Sequence, residues 1–86
     1  MVVSLNRDKM SRKISKIAKN VMCIHYVDEN GVENYDIYAF IGGGFKEFQI
    51  QKRQDVYYLY NEGNIIPAKM STDQDLIVND FKKLII

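Results

Sequence analysis

The chain has 86 residues, 47% of them hydrophobic, with one proline, one cysteine and a formal net charge of +1. That length suits one small domain with a thin core rather than two domains, and the apolar fraction excludes a disordered chain. The lone cysteine, Cys23, excludes an intramolecular disulfide, and no apolar run reaches the ~20 residues that span a bilayer.

The amino-terminal order, a short apolar start followed by charge, is not that of a secretory signal. The expectation is a cytoplasmic protein in a reducing compartment, with no membrane partner. Isoleucine, lysine, asparagine and tyrosine together supply 33 of the 86 residues, a bias typical of AT-rich coding DNA. The small net charge conceals an asymmetry. Residues 1–20 carry six basic residues against one acidic, a net +5, whereas residues 21–86 carry six basic against ten acidic, a net −4. The amino-terminal end is therefore the positive pole of the molecule.

In chain order, residues 1–8 read as an extended or flexible arm. Met10, Ile14, Ile17 and Val21 recur at helical spacing, which predicts a short amphipathic helix over 9–20 starting anywhere from Asn6 to Ser11. A competing reading makes that stretch extended. Residues 21–27 are β-branched and aromatic enough for a strand. Asn30-Gly31 marks a hairpin, because both residues tolerate positive φ. The return strand, 32–41, places Tyr35, Ile37, Ala39 and Ile41 on one face and Asp36, Tyr38 and Phe40 on the other.

Gly42-Gly43-Gly44 predicts a flexible or bulged break. A third strand over 45–52 alternates Phe48 and Ile50 with Glu47, Gln49 and Gln51. The fourth covers 56–60 and the fifth 65–70, the latter at an edge because Pro67 gives no ladder donor. Ser71 and Gln74 fit a capping box for a last helix, with Ile77, Phe81 and Leu84 on one face. The expected architecture is α+β: a five-stranded antiparallel meander, a short amino-terminal helix, and a carboxy-terminal helix packed on one sheet face, all in a single domain over 1–86.

The candidate chemistry is sparse. Cys23 and His25 share a strand face, but two residues of strand rise separate them by about 6.6–6.8 Å, long for a thiol–imidazole bond. They are also only two soft ligands where a structural zinc site takes four, so the expectation is no metal and no cofactor. The glycines match neither the P-loop nor the dinucleotide fingerprint. The scattered carboxylates match no calcium loop and read as solvated turn and cap residues.

Two surfaces remain. Tyr57, Tyr58 and Tyr60 crowd one strand, with Tyr38 on the preceding hairpin, and tyrosine is enriched where proteins meet. Val56, Tyr58 and Tyr60 should share one face, with Tyr57 and Leu59 on the other. The second surface is the basic segment Arg7, Arg12, Lys13, Lys16 and Lys19, whose charges suit phosphates, although no nucleic-acid-binding motif accompanies them.

The leading expectation is a non-enzymatic protein that occupies a macromolecular partner through the tyrosines. Size and composition suit a phage or mobile-element accessory protein, including an inhibitor of a host nuclease or defence system. A homodimer stays open. The second expectation is nucleic-acid binding through the basic segment, and the third is a small enzyme using Cys23 and His25. An exposed tyrosine patch ringed by acids would favour a protein or basic ligand. The same patch beside Lys13 and Lys16 would favour nucleic acid.

Overall fold

Every second residue through most of the middle of the chain is apolar, so strands made of it have one dry face and one wet face. The computed structural model describes the backbone of residues 2–5 and the whole of residues 8–85. The elements in order are β1 (Val2–Leu5), α1 (Lys9–Ser15), β2 (Val21–Val27), β3 (Glu33–Ile41), β4 (Gly44–Arg53), β5 (Val56–Tyr60), β6 (Lys69–Ser71) and α2 (Gln74–Ile85). The strands form one antiparallel sheet in the order β1-β2-β3-β4-β5-β6, so every sheet neighbour is a chain neighbour. This is the expected α+β meander with two helices. The five expected strands correspond to β2–β6, and β1 extends the sheet from within the amino-terminal arm, pairing Val2 with Val27 and Leu5 with Ile24.

Turn chemistry sets the register. In the β2–β3 connection Asp28 N–H donates to Val32 O and Gly31 N–H to Asp28 O, both at 3.0 Å. Only Gly31 has positive φ there, at 78°. The Asn-Gly signal therefore marks a three-residue loop closed by a left-handed glycine rather than a turn with both residues at positive φ. Asp28 Oδ1 accepts the N–H groups of Asn30 and Val32 at 2.9 and 3.0 Å. These bonds, chiefly the one from Val32, hold its carboxyl below the usual range.

Of the three glycines, Gly42 and Gly43 have φ of 56° and 79° and make a two-residue loop, while Gly44 pairs with Ile41 as the first residue of β4. Two successive positive φ angles suit the twist of a tight hairpin, which replaces the expected flexible or bulged break. β6 is a three-residue edge strand, and Pro67 lies in the connection before it rather than inside a strand.

Both helices are capped by aspartates. Asp8 Oδ2 accepts from Met10 and Ser11 N–H at 3.0 and 3.1 Å, fixing the start of α1. That helix ends at Ser15, earlier than the expected 9–20, because the chain turns to enter β2; Val21 belongs to the strand and faces the core from there. At α2, Asp73 Oδ1 accepts from Asp75 and Leu76 N–H at 2.8 and 3.3 Å, whereas Ser71 Oγ accepts from Asp73 N–H. The N-cap is therefore Asp73 and not the expected Ser71–Gln74 box, since Ser71 still belongs to β6. Asp73→Ala should lower stability by about 1 kcal/mol and Ser71→Ala by clearly less, as read by urea denaturation.

Met10 and Ile14 of α1 and Ile77 and Phe81 of α2 join Cys23, Tyr35, Ile37, Phe48, Ile50 and Leu59 in one buried cluster. Phe81 meets Phe48 edge-on, with ring centroids 5.3 Å apart. Lys13 Nζ reaches Asp75 Oδ1 at 2.8 Å and links the two helices. Asp75, more than three-quarters exposed, makes this a modest contribution. Both helices thus lie on the same side of the sheet, and no described helix covers the other side.

Candidate functional site

Alternation and register decide what that open side presents. Direct cross-strand partners share a face, so rows run across it, three of them between the pairs Phe40–Phe45 and Arg53–Val56. One holds Met22, Tyr38 and Glu47; the next holds Ile24, Asp36, Gln49 and Tyr60; the third holds Tyr26, Asn34, Gln51, Tyr58 and Met70. Tyr58, Tyr60 and Tyr38 stand on this side, half-buried. Tyr57 does not: it is 8% exposed within the core cluster. It thus leaves the tyrosine surface, as strand alternation requires.

Hydrogen bonds join the strands along these rows. Gln49 Nε2 donates to Asp36 Oδ1 at 2.9 Å and Gln51 Nε2 to Asn34 Oδ1 at 3.0 Å. The Arg53 guanidinium lies 4.1 Å from the centre of the Tyr58 ring and donates to the Tyr60 hydroxyl at 2.8 Å. Two of the tyrosines are therefore held in place before anything binds, which lowers the ordering cost of a contact.

Two depressions meet on this face, and Tyr38 lines both. The first is a cleft of about 320 Å³ walled by Tyr38, Tyr60, Asp36, Glu47 and Glu62 and closed by the loop at Gly63-Asn64. No basic residue lines it among the described residues. Tyr26 OH and Gln49 both donate to Oδ1 of Asp36, and no described residue donates to Oδ2. Burial pushes the Tyr38 hydroxyl above its ordinary value, and the charges of Asp36 and Glu47 push it the same way, a local sign of negative potential.

The second depression is a groove of about 500 Å³ lined by Met22, Ile24, Tyr38, Phe40 and Phe45, with Lys19 at its rim. Met22, Phe40 and Phe45 are 55%, 61% and 47% exposed, and the two phenylalanine rings sit 5.1 Å apart. Beyond the acidic cleft, Ile65 and Ile66 are exposed in the β5–β6 connection.

The basic segment lies elsewhere. Arg12, Lys13 and Lys16 belong to α1 and its C-cap, on the helical side of the sheet, and Lys13 is engaged by Asp75. Lys19 alone reaches the open face. Arg7 lies outside the described residues. Cys23 is 1% exposed, and burial pushes its thiol up to about 12, the opposite of what a nucleophilic thiolate needs.

His25 turns to Glu33, Nε2 to Oε1 at 3.1 Å, and its ring stacks on Tyr35. Asp8, His25 and Glu33 each bring one ligand atom within 4.8 Å of the others, the described group with the composition of a metal site. Asp8 and Glu33 already have structural partners outside the trio, while His25 Nδ1 is buried with no hydrogen-bond partner among the described residues. Asp8 caps α1, and Glu33 lies between His25 and Lys52, whose Nζ is 3.7 Å away.

Composition singles out the tyrosines but not Asp36, Glu47, Glu62, Met22, Phe40 or Phe45. Asp36 is not a turn residue: it sits in the middle of β3. The signal for it was in the alternation, which puts this carboxylate on the same face of the strand as Tyr38 and Phe40. Against known proteins the chain has no significant match to any family model, curated protein or solved structure. No described helix is long and apolar enough to cross a membrane.

Proposed function

We propose that this chain is a small non-enzymatic cytoplasmic protein that acts by occupying a protein partner with the open face of its sheet. Its size and composition suit a phage or mobile-element accessory protein, including an inhibitor of a host nuclease or defence system. The observation that carries the reading is the exposure of Met22, Phe40 and Phe45 in one contiguous groove beside pre-positioned tyrosines. Large apolar side chains clustered on a face that the chain's own helices leave uncovered mark an interaction surface.

Charge favours protein over nucleic acid as the partner. The tyrosines that would stack bases stand beside Asp36, Glu47 and Glu62, which repel phosphates, while Arg12, Lys13 and Lys16 lie on the other side. A catalytic reading through Cys23 and His25 is disfavoured by the buried, protonated thiol and by the turn of His25 toward Glu33.

The experiment is a photo-cross-linking residue placed at position 58, on the open face, compared with one at position 82, exposed on α2. Both are exposed to a lysate of a low-GC bacterium. A discrete adduct from position 58 alone is the expected result, and the unmodified protein should compete it away.

A further inference from the structure

We infer that the open face recognises an extended segment of its partner carrying an arginine or lysine side chain for the acidic cleft and a bulky apolar side chain for the adjoining groove. This rests on the reading that the open face binds protein, and it names the chemistry that face selects. Three carboxylates, Asp36, Glu47 and Glu62, line the cleft with no base among its described walls. Arg53 is turned onto the Tyr58 ring and the Tyr60 hydroxyl and is not among the cleft's described walls, which leaves those walls net negative.

Tyr38 and Tyr60 supply aromatic walls, and a cation over an aromatic ring adds attraction that a neutral side chain lacks. A guanidinium also matches a carboxylate as a two-pronged donor, and Asp36 Oδ2 has no donor among the described residues. The groove has the opposite character, with Met22, Ile24, Phe40 and Phe45 around the shared wall of Tyr38.

The spacing is set by the sheet. Asp36 and Phe40 lie on one face of β3 four residues apart, roughly 13 Å at the rise of a strand. An extended ligand places residues i and i+4 on one side over the same distance. A helical ligand brings i and i+4 within about 6 Å and would need side chains about eight residues apart to span both depressions, so the spacing between the two selected side chains tells the two forms apart. Phosphate-bearing ligands are disfavoured by the carboxylates.

Selection of a random extended-peptide display library on the protein tests this. The expected result is enrichment of arginine or lysine at one position and of leucine, isoleucine or phenylalanine four residues away. Glu47→Gln with Glu62→Gln, both exposed and without described ion pairs, should weaken the selected peptides at least tenfold. The apolar preference should survive in that variant. No selected binders, or binders without a basic excess, would overturn the proposal. So would a self-association seen by sedimentation that these two substitutions dissolve, because the occupant would then be a second copy's own basic segment. A cross-link from position 58 that persists unchanged in the double variant would leave the face as a binding surface while ending the claim about what it selects.

Discussion

Phe81→Ala should remove about 3–5 kcal/mol of folding stability. The ring is fully buried, its edge meets Phe48, and with Ile77 it supplies the fully buried side chains by which α2 holds the sheet. At the usual 0.05–0.15 kcal/mol per residue, a chain of this length holds roughly 4–13 kcal/mol in total. The substitution therefore lowers the melting temperature by roughly 15–30 °C or leaves the chain unfolded. Phe40→Ala is the same chemical change on the other side of the sheet, where the ring is 61% exposed, and should change stability by less than about 1 kcal/mol. Urea denaturation of the two variants reads the contrast. Similar losses for both would mean that Phe40 is needed for folding, and the apolar groove would lose its standing as surface kept for a partner.

The second large effect is alkaline. The folded Cys23 thiol is held protonated up to about 12, against an ordinary value of 9.0, because burial penalises the thiolate. Tyr35 shifts the same way, first through burial and then through the charge of Asp8. A raised folded pKa means that above pH 9 the unfolded chain gives up a proton that the folded chain keeps. The contribution is fully present below pH 9 and is lost as pH rises toward 12, by up to about 1.4 kcal/mol per unit from Cys23. Denaturation midpoints should therefore be flat from pH 7 to 8.5 and fall steadily above 9. Cys23→Ala should flatten the slope between 9 and 10, leaving the part due to Tyr35 at higher pH. A native-state thiol that titrates near 9, by its ultraviolet thiolate absorbance, would contradict the buried placement of Cys23.

Local sequence carries the strands well, since the period-two pattern reports which residues face together. The spans 21–27 and 56–60 coincide with β2 and β5, and Tyr57 separates from Tyr58 and Tyr60 on alternation alone. What local pattern cannot carry is anything that depends on register or docking. Reading all three glycines as a break starts the third strand at residue 45. The two-residue loop instead places Gly44 opposite Ile41, and only that register brings Asp36 level with Gln49 and Tyr60. A slip of one residue would turn Glu47 and Gln49 into the core.

The acidic cleft was invisible for the same reason. Asp36, Glu47 and Glu62 come from β3, β4 and the β5–β6 connection and meet only once the meander is paired. The side of the sheet left open follows from both helices docking beneath it, a long-range fact that neither amphipathic stripe states. The helix caps illustrate a smaller limit. Asp73 competes with Ser71 as the cap of α2, and the backbone direction leaving β6 decides for Asp73.

The most direct test of the account is the paired cross-link. The open-face reading predicts an adduct of one discrete mass from position 58, competed by unmodified protein, and none from position 82 on α2. Adducts from position 82 alone, equal adducts from both, or none from either would contradict it.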